Sequence, residues 1–281
     1  MARREVATKA GLDSRLRGND KLKTSWGGVA QWYHDTVEDK GSYQKDLIQP
    51  NLLRLMDIKK GETVLDLACG EGFFSRRFAQ LGAKVVASDI APELIAIAKG
   101  HADSRGVQYH VAPSHDISFA SNNSVDKAVI ILAIQNIDNV KDTLAEVARV
   151  LKPPARGGQA GKLYLVLNHP AFRVPKESSW GWDPVGVQYR RVDKYLSESR
   201  VKIDMKPGSS SFAGAQDDRY TVTLHRPLQF YFKQLGKAGF GVTNMEEWVS
   251  EKESQKGPRQ EAENRARKEI PLFMCLEAVK L

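Results

Sequence analysis

The stretch Val64-Leu-Asp66-Leu-Ala-Cys-Gly70-Glu-Gly72-Phe-Phe-Ser75 decides how the rest of the chain is read. A short apolar run from Thr63 to Ala68 enters a Gly-x-Gly turn, and Phe74, Phe78 and Leu81 follow at helical spacing. Gly70 and Gly72 let the backbone turn tightly and let a ligand approach the main chain without meeting a Cβ. Exposed N–H groups at the start of the next helix attract a negative group. A second apolar strand, Lys84 to Ser88, leads to Asp89, 19 residues beyond Gly70. That separation suits a carboxylate accepting hydrogen bonds from ribose hydroxyls. The alternative is that Asp89 caps the helix opening at Pro92.

Working outward, Leu47, Ile48, Leu52, Leu53 and Met56 give a helix before the loop, with Pro50 starting or kinking its second part. Gly82 stops the helix after the loop, and Pro92 opens the next one, Glu93 to Lys99. Further strands are expected at Val107–Val111, Ala128–Ala133 and Lys162–Leu167, with a helix carrying Val140, Leu144, Val147 and Leu151 between the last two. Apolar strands alternating with helices predict a parallel sheet covered on both faces. After a helix from Leu228 to Lys237, Gly241–Val249 and Leu272–Val279 add two strands. The expected fold is α/β: a Rossmann-like, seven-stranded, mostly parallel sheet with helices on both faces and an antiparallel C-terminal strand.

The 281 residues comprise 41% hydrophobic and 27% charged side chains, ordinary for a globular protein. The longest apolar run, Ala128 to Ile134, is far too short to span a bilayer, so no membrane association is expected. The basic start, Met1 to Arg4, is followed by no apolar stretch, so a secretory signal is not expected. Two cysteines, Cys69 and Cys275, fit a reducing cytoplasm better than a disulfide-stapled secreted scaffold. Half of the net charge of +8 falls in residues 1–24, which lack apolar periodicity and read as a disordered basic tail. Charge placed there argues for a solvated terminus over a nucleic-acid cleft. Leu12 to Asp20 and Lys206 to Asp218 resemble translated intergenic repeats of bacterial genomes and are read as late insertions without chemistry.

A dinucleotide fingerprint calls for a third glycine where Ser75 stands, and it has no use for Asp66. The run from Asp66 to Gly72 instead resembles motif I of the class I S-adenosylmethionine-dependent methyltransferases. Asp89, Ser124-Val-Asp126-Lys-Ala-Val and Val147-Ala-Arg-Val-Leu-Lys-Pro153 extend the likeness. The ending, Leu224-His-Arg-Pro-Leu-Gln followed by Leu235-Gly-Lys-Ala-Gly-Phe240 and Ile270-Pro-Leu-Phe, is similar to the small-molecule, methyltransferase type 11-like branch. The resemblance implies S-adenosyl-L-methionine as cofactor. Asp66, Ala68, Gly70 and Gly72 would hold its methionine portion, Asp89 its ribose, and Ile90 its adenine. Pro113 occupies the usual acid position after the third strand, so adenine contacts pass to Ser114, His115 or Asp116. Ala133 would approach the sulfonium. Tyr33, beside Trp32, would cover the cofactor, or its helix simply docks through buried aromatics.

The acceptor belongs beyond the carboxyl ends of the strands. Gln135 and Asn136 after the fourth strand are candidates to face it. So are Trp180, Trp182 and Arg190, in a long connection (171–227) read as a lid within a domain spanning residues 25–281. The arginines there suit an acidic or phosphorylated acceptor, unless they serve only surface ion pairs. His169 at the end of the fifth strand is the candidate general base; the alternative is a histidine that orients backbone. No histidine pair has metal-helix spacing, so no metal site is expected. The rival readings are a nicotinamide-dependent oxidoreductase and a nucleic-acid (RNA) methyltransferase or binder. The expected partner is a small molecule, acidic or aromatic.

Overall fold

A computed structural model describes residues 26–30, 34, 41–154, 160–205 and 220–281. The tail (1–24), Tyr33, and the repeat-like segment from Lys206 to Asp218 lie outside those residues. The order of elements is α1 (Gln49–Met56), β1 (Thr63–Leu67), α2 (Phe73–Gln80), β2 (Lys84–Asp89), α3 (Pro92–Gly100), β3 (Val107–Val111) and β4 (Lys127–Ile131). There follow α4 (Val140–Val150), β5 (Lys162–Asn168), β6 (Ser178–Trp182), β7 (Gln188–Val192), β8 (Ser199–Asp204) and β9 (Tyr220–His225). The chain ends with α5 (Leu228–Lys237), β10 (Phe240–Trp248), α6 (Gln260–Glu269) and β11 (Phe273–Lys280).

Successive side chains of a strand point to opposite faces, so a continuous apolar run needs cover on both. In β1, Leu65 and Leu67 pack with Leu144 and Val147 of α4 and with Tyr231 and Leu235 of α5. Val64, one residue out of phase, packs with Leu52 and Met56 of α1 and Phe78 of α2. The seven strands run in the order β10-β11-β5-β4-β1-β2-β3. Strands β3, β2, β1, β4 and β5 are mutually parallel, and β11 is antiparallel to both β5 and β10. The fold is therefore the Rossmann-like one read from the sequence. β2 and β3 extend the sheet to one side of β1 and β4 and β5 to the other, which opens a crevice at their carboxyl ends.

Three elements differ from the sequence reading. β4 stops at Ile131, because Leu132 turns into the left-handed region at φ +52° and ends the pairing. The connection 171–227 carries two antiparallel hairpins, β6–β7 and β8–β9. Their strands are half-exposed and short, so no clear apolar alternation marks them. Helix α6 buries only Ala266, and a helix with almost no apolar face leaves no periodic trace.

Candidate functional site

The loop after β1 is held in left-handed backbone, with φ +55° at Ala68, +59° at Gly70 and +81° at Gly72. At Gly72 a Cβ would lie 2.4 Å from the Tyr109 hydroxyl, so a larger residue there adds a clash to the backbone strain. Asp89 ties this loop to the end of β2. Its Oδ2 accepts the Gly70 N–H at 2.9 Å, and its Oδ1 accepts the Ala91 N–H at 2.9 Å. It thus caps the chain before α3 and anchors the glycine loop together, and each oxygen keeps a further lone pair. Burial raises its pKa against the opposing pull of those backbone N–H groups. Asp66 lies behind the loop, only 2% exposed, and its Oδ2 accepts the Ser75 hydroxyl at 2.5 Å. Burial pushes its carboxyl up to about 7.

A cleft of about 500 Å³ opens over the carboxyl ends of β1, β2, β4 and β5. Ala68, Gly70, Asp89 and Ile90 line one side, and Ile131, Leu132 and Ala133 the other. Ala68, Leu132 and Lys176 all line it with positive φ. Non-glycine residues in that region cost about 1–2 kcal/mol each, and such strain concentrates at ligand sites. Gln135 donates its Nε2 to the Leu132 carbonyl at 2.7 Å, while its Oε1, buried in the cleft wall, has no hydrogen-bond partner among the described residues. A buried acceptor left this way is a place for a ligand's donor. Leu94, Trp26 and Gln44 close the near end, and none of the last two was marked by any sequence pattern.

The far side is built by β5 and the two hairpins. Asn136 lines the cleft and donates its Nδ2 to the Val222 carbonyl at 2.7 Å, fastening the turn after β4 to β9. Ile203, Met205, Thr221 and Thr223 from the β8–β9 hairpin roof the space. Arg173 and Arg190 enter it as well. Arg190 donates to the Phe172 carbonyl and the Ser178 hydroxyl and lies 5.1 Å above the Trp180 ring. Arg173 lies 5.5 Å from the Phe273 ring centre. Neither guanidinium has a carboxylate within ion-pair distance among the described residues. Burial lowers both pKa values, and for Arg173 the neighbouring Arg190 charge adds to the effect.

Several residues assigned from the sequence lie away from the cleft wall. His169 does not reach the cleft: its ring is 2% exposed, Nε2 lies 2.6 Å from Glu247 Oε1, and Nδ1 accepts the Ala171 N–H at 3.2 Å. With both nitrogens engaged it orients the backbone after β5, which was the alternative reading. Ser114 is bonded to Thr143 at 2.9 Å, and neither it nor His115 lines this cleft. Trp180, 39% exposed, stacks beneath Arg190, and Trp182 sits under Arg259 at 5.0 Å; neither faces the cleft. Asp66 and Gly72 act on the loop from behind rather than at the cleft surface. The lack of metal-type spacing also proves uninformative, because the fold gathers His34, Glu71 and His101 from three segments with ligand atoms within 4.8 Å of one another.

Residues 65–156 match the family model described as "Methyltransferase domain". That match covers about a third of the chain, and over it the chain is similar to a methyltransferase domain. A ubiquinone biosynthesis O-methyltransferase from Xanthomonas oryzae pv. oryzae is 35% identical over 107 residues, covering 37% of this chain and 42% of the relative. A demethylmenaquinone methyltransferase from Tropheryma whipplei is 30% identical over 154 residues, covering 54% and 64%. The chain thus spans less than two thirds of either curated relative. A Listeria monocytogenes structure, provisionally described as an S-adenosylmethionine-dependent methyltransferase, superposes with a TM-score of 0.60 at 25% identity over 82% of this chain and 97% of that one. No helix among the described residues is long and apolar enough to cross a membrane.

Proposed function

We propose that this protein transfers a methyl group from S-adenosylmethionine to a small aromatic acceptor bearing a carboxylate or another anionic group. The observation that carries the reading is the convergence of Asp89, the Ala68–Gly70 turn and the orphan Gln135 Oε1 on one cleft, which two arginines without a carboxylate partner among the described residues also enter.

The residues fit the cofactor. Asp89 has acceptor capacity left for ribose hydroxyls, and Ile90 and Leu94 offer apolar flanks for adenine. The left-handed Ala68 and Gly70 present backbone at close range. Gln135 Oε1 suits an ammonium or hydroxyl donor. When bound, the cofactor supplies an electrophilic methyl on a positively charged sulfur. The protein's part in such a displacement is chiefly orientation, worth up to about 7–11 kcal/mol where reacting atoms are well placed. Arg173 and Arg190 supply that orientation through the acceptor's anionic group, the pairing a planar guanidinium makes best. The β6–β7 and β8–β9 hairpins act as the lid, excluding water from the displacement. The curated relatives' names, with ubiquinone and demethylmenaquinone in them, favour an aromatic acceptor.

The test is calorimetry with S-adenosylmethionine and with NAD, followed by assay of S-adenosylhomocysteine release across paired acceptors that differ only in a carboxylate. Arg173→Met should raise KM for the carboxylated acceptor by about 10- to 150-fold, since a charged hydrogen bond contributes about 1.5–3 kcal/mol. Tight NAD binding without S-adenosylmethionine binding would overturn the assignment. Equal use of both acceptors by the parent would remove the anionic group from it.

A further inference from the structure

Away from the cleft, three polar atoms converge in the interior with no hydrogen-bond partner among the described residues: His34 Nδ1, His101 Nε2 and Glu71 Oε1. They come from three parts of the chain. His34 lies in the N-terminal segment, Glu71 sits between Gly70 and Gly72 in the glycine loop, and His101 directly follows α3. Glu71 is only 1% exposed, whereas the two histidine side chains are about a quarter exposed. His101 Nε2 approaches Glu71 Oε2 to 3.0 Å and His34 Nδ1 to 3.5 Å. The imidazoles meet edge to face at 5.1 Å.

The charge balance favours a cation. Arg76 sits 3.1 Å from Glu71 Oε2, donates to the Glu71 carbonyl at 2.7 Å, and reaches Asp103 at 3.2 Å. Asp103 is half-exposed, so water screens its charge, but Glu71 is 1% exposed and shares its one guanidinium with Asp103. A buried carboxylate held this way, with Oε1 unpartnered among the described residues and two imidazoles beside it, suits a cation. The spacing also fits. Zinc bonds of about 2.0–2.2 Å put neighbouring ligand atoms of a tetrahedral site roughly 3.3–3.5 Å apart, and the two observed separations bracket that range. Two imidazoles and one carboxylate form a donor set typical of zinc, and three protein ligands leave a position open.

We propose that His34, Glu71 and His101 form a divalent-cation site of the zinc class that staples the N-terminal segment to the glycine loop. The site is distinct from the cofactor cleft and does not depend on which methyl acceptor the protein uses. Because Glu71 is flanked by Gly70 and Gly72, a bound cation would hold the loop where its backbone has the most conformational freedom to lose. The staple explains why a glutamate is buried at this turn although a neutral residue would cost less to bury.

The experiment uses the full-length, tag-free protein stripped with a chelator. Zn2+ alone is titrated by calorimetry, and Co2+ alone is followed by its visible d–d absorption. The expected result is one equivalent bound, intense tetrahedral-type Co2+ bands and a raised melting temperature. His101→Ala and His34→Ala, both partly exposed and checked for folding by circular dichroism, should each weaken Zn2+ binding about 100-fold or more, beyond the ~10- to 100-fold lost with a supporting group. His101→Gln provides a second, less disruptive variant with the same expectation. No saturable binding by the parent would overturn the proposal, as would one-equivalent binding retained in the His34→Ala/His101→Ala double variant. Retention would place the metal on the other histidines instead.

Discussion

Replacing Asp66 by asparagine should stabilise the protein at neutral and alkaline pH, with the gain vanishing below about pH 4. The carboxyl is buried behind the glycine loop with one hydroxyl partner, Ser75 Oγ at 2.5 Å. Burial raises it from an ordinary 3.8 to about 7, against the hydrogen bond from Ser75, with the Asp89 charge adding to the rise. The folded protein therefore binds a proton that the unfolded chain has lost between about pH 4 and pH 7. Stability from this group is fully present below pH 4 and falls as pH rises through about 7. Each pKa unit is worth about 1.36 kcal/mol, so the separation sets a ceiling of about 4 kcal/mol on what ionising Asp66 costs. Asparagine keeps the shape and the acceptor oxygen for Ser75 without the charge. Urea denaturation of the parent and Asp66→Asn at pH 4.5, 6, 7 and 8 isolates the effect, since every other titration cancels in the difference. The variant should gain between pH 4.5 and about 7 and level off at about 2–4 kcal/mol by pH 8. A difference that is flat with pH, or a variant less stable at pH 8, would refute the buried-carboxyl account.

Gly72→Ala should destabilise the protein by about 1–3 kcal/mol through overpacking and left-handed strain, and Tyr109→Phe should recover part of it by removing the hydroxyl that a Cβ would strike; chemical denaturation of the single and double variants checks this. Asp89→Ala should weaken S-adenosylmethionine binding by about 10- to 150-fold and also lower the melting temperature, because the Gly70 and Ala91 N–H groups lose their acceptor; unchanged affinity on calorimetry would reduce Asp89 to a cap. His169→Gln should lower stability without altering the pH profile of kcat, as its ring lies outside the cleft. Burial lowers the His169 pKa more than the Glu247 hydrogen bond raises it, so its contribution is present above about pH 6.5 and is lost as pH falls; the parent-minus-variant stability difference should shrink on acidification.

The sheet was legible in the residues themselves. An apolar run such as Thr63 to Leu67 can be buried on both faces only inside a helix-covered parallel sheet, and that constraint is local in sequence. The glycine loop was legible for the same reason: Gly70 and Gly72 adopt backbone that other residues adopt only at a cost, and Asp89 follows at a distance set by one helix and one strand. The hairpins of 171–227 were not legible, because half-exposed strands carry no clear periodicity. Nor was the difference between a histidine in a cleft and one beside it. His169 ends a strand that points at the ligand edge, yet Glu247, 78 residues away on β10, captures its Nε2. Likewise, Arg173 and Arg190 were visible as charges, but only packing shows them half-buried together with no carboxylate partner among the described residues, and so matched to an anion. His34, Glu71 and His101 have no mutual spacing a motif could express. Covalent neighbours set backbone conformation and strand pattern, which the chain therefore dictated alone. Which side chains share a dielectric, a lone pair or a ligand depends on segments brought together by the whole core, and that only the tertiary structure decided.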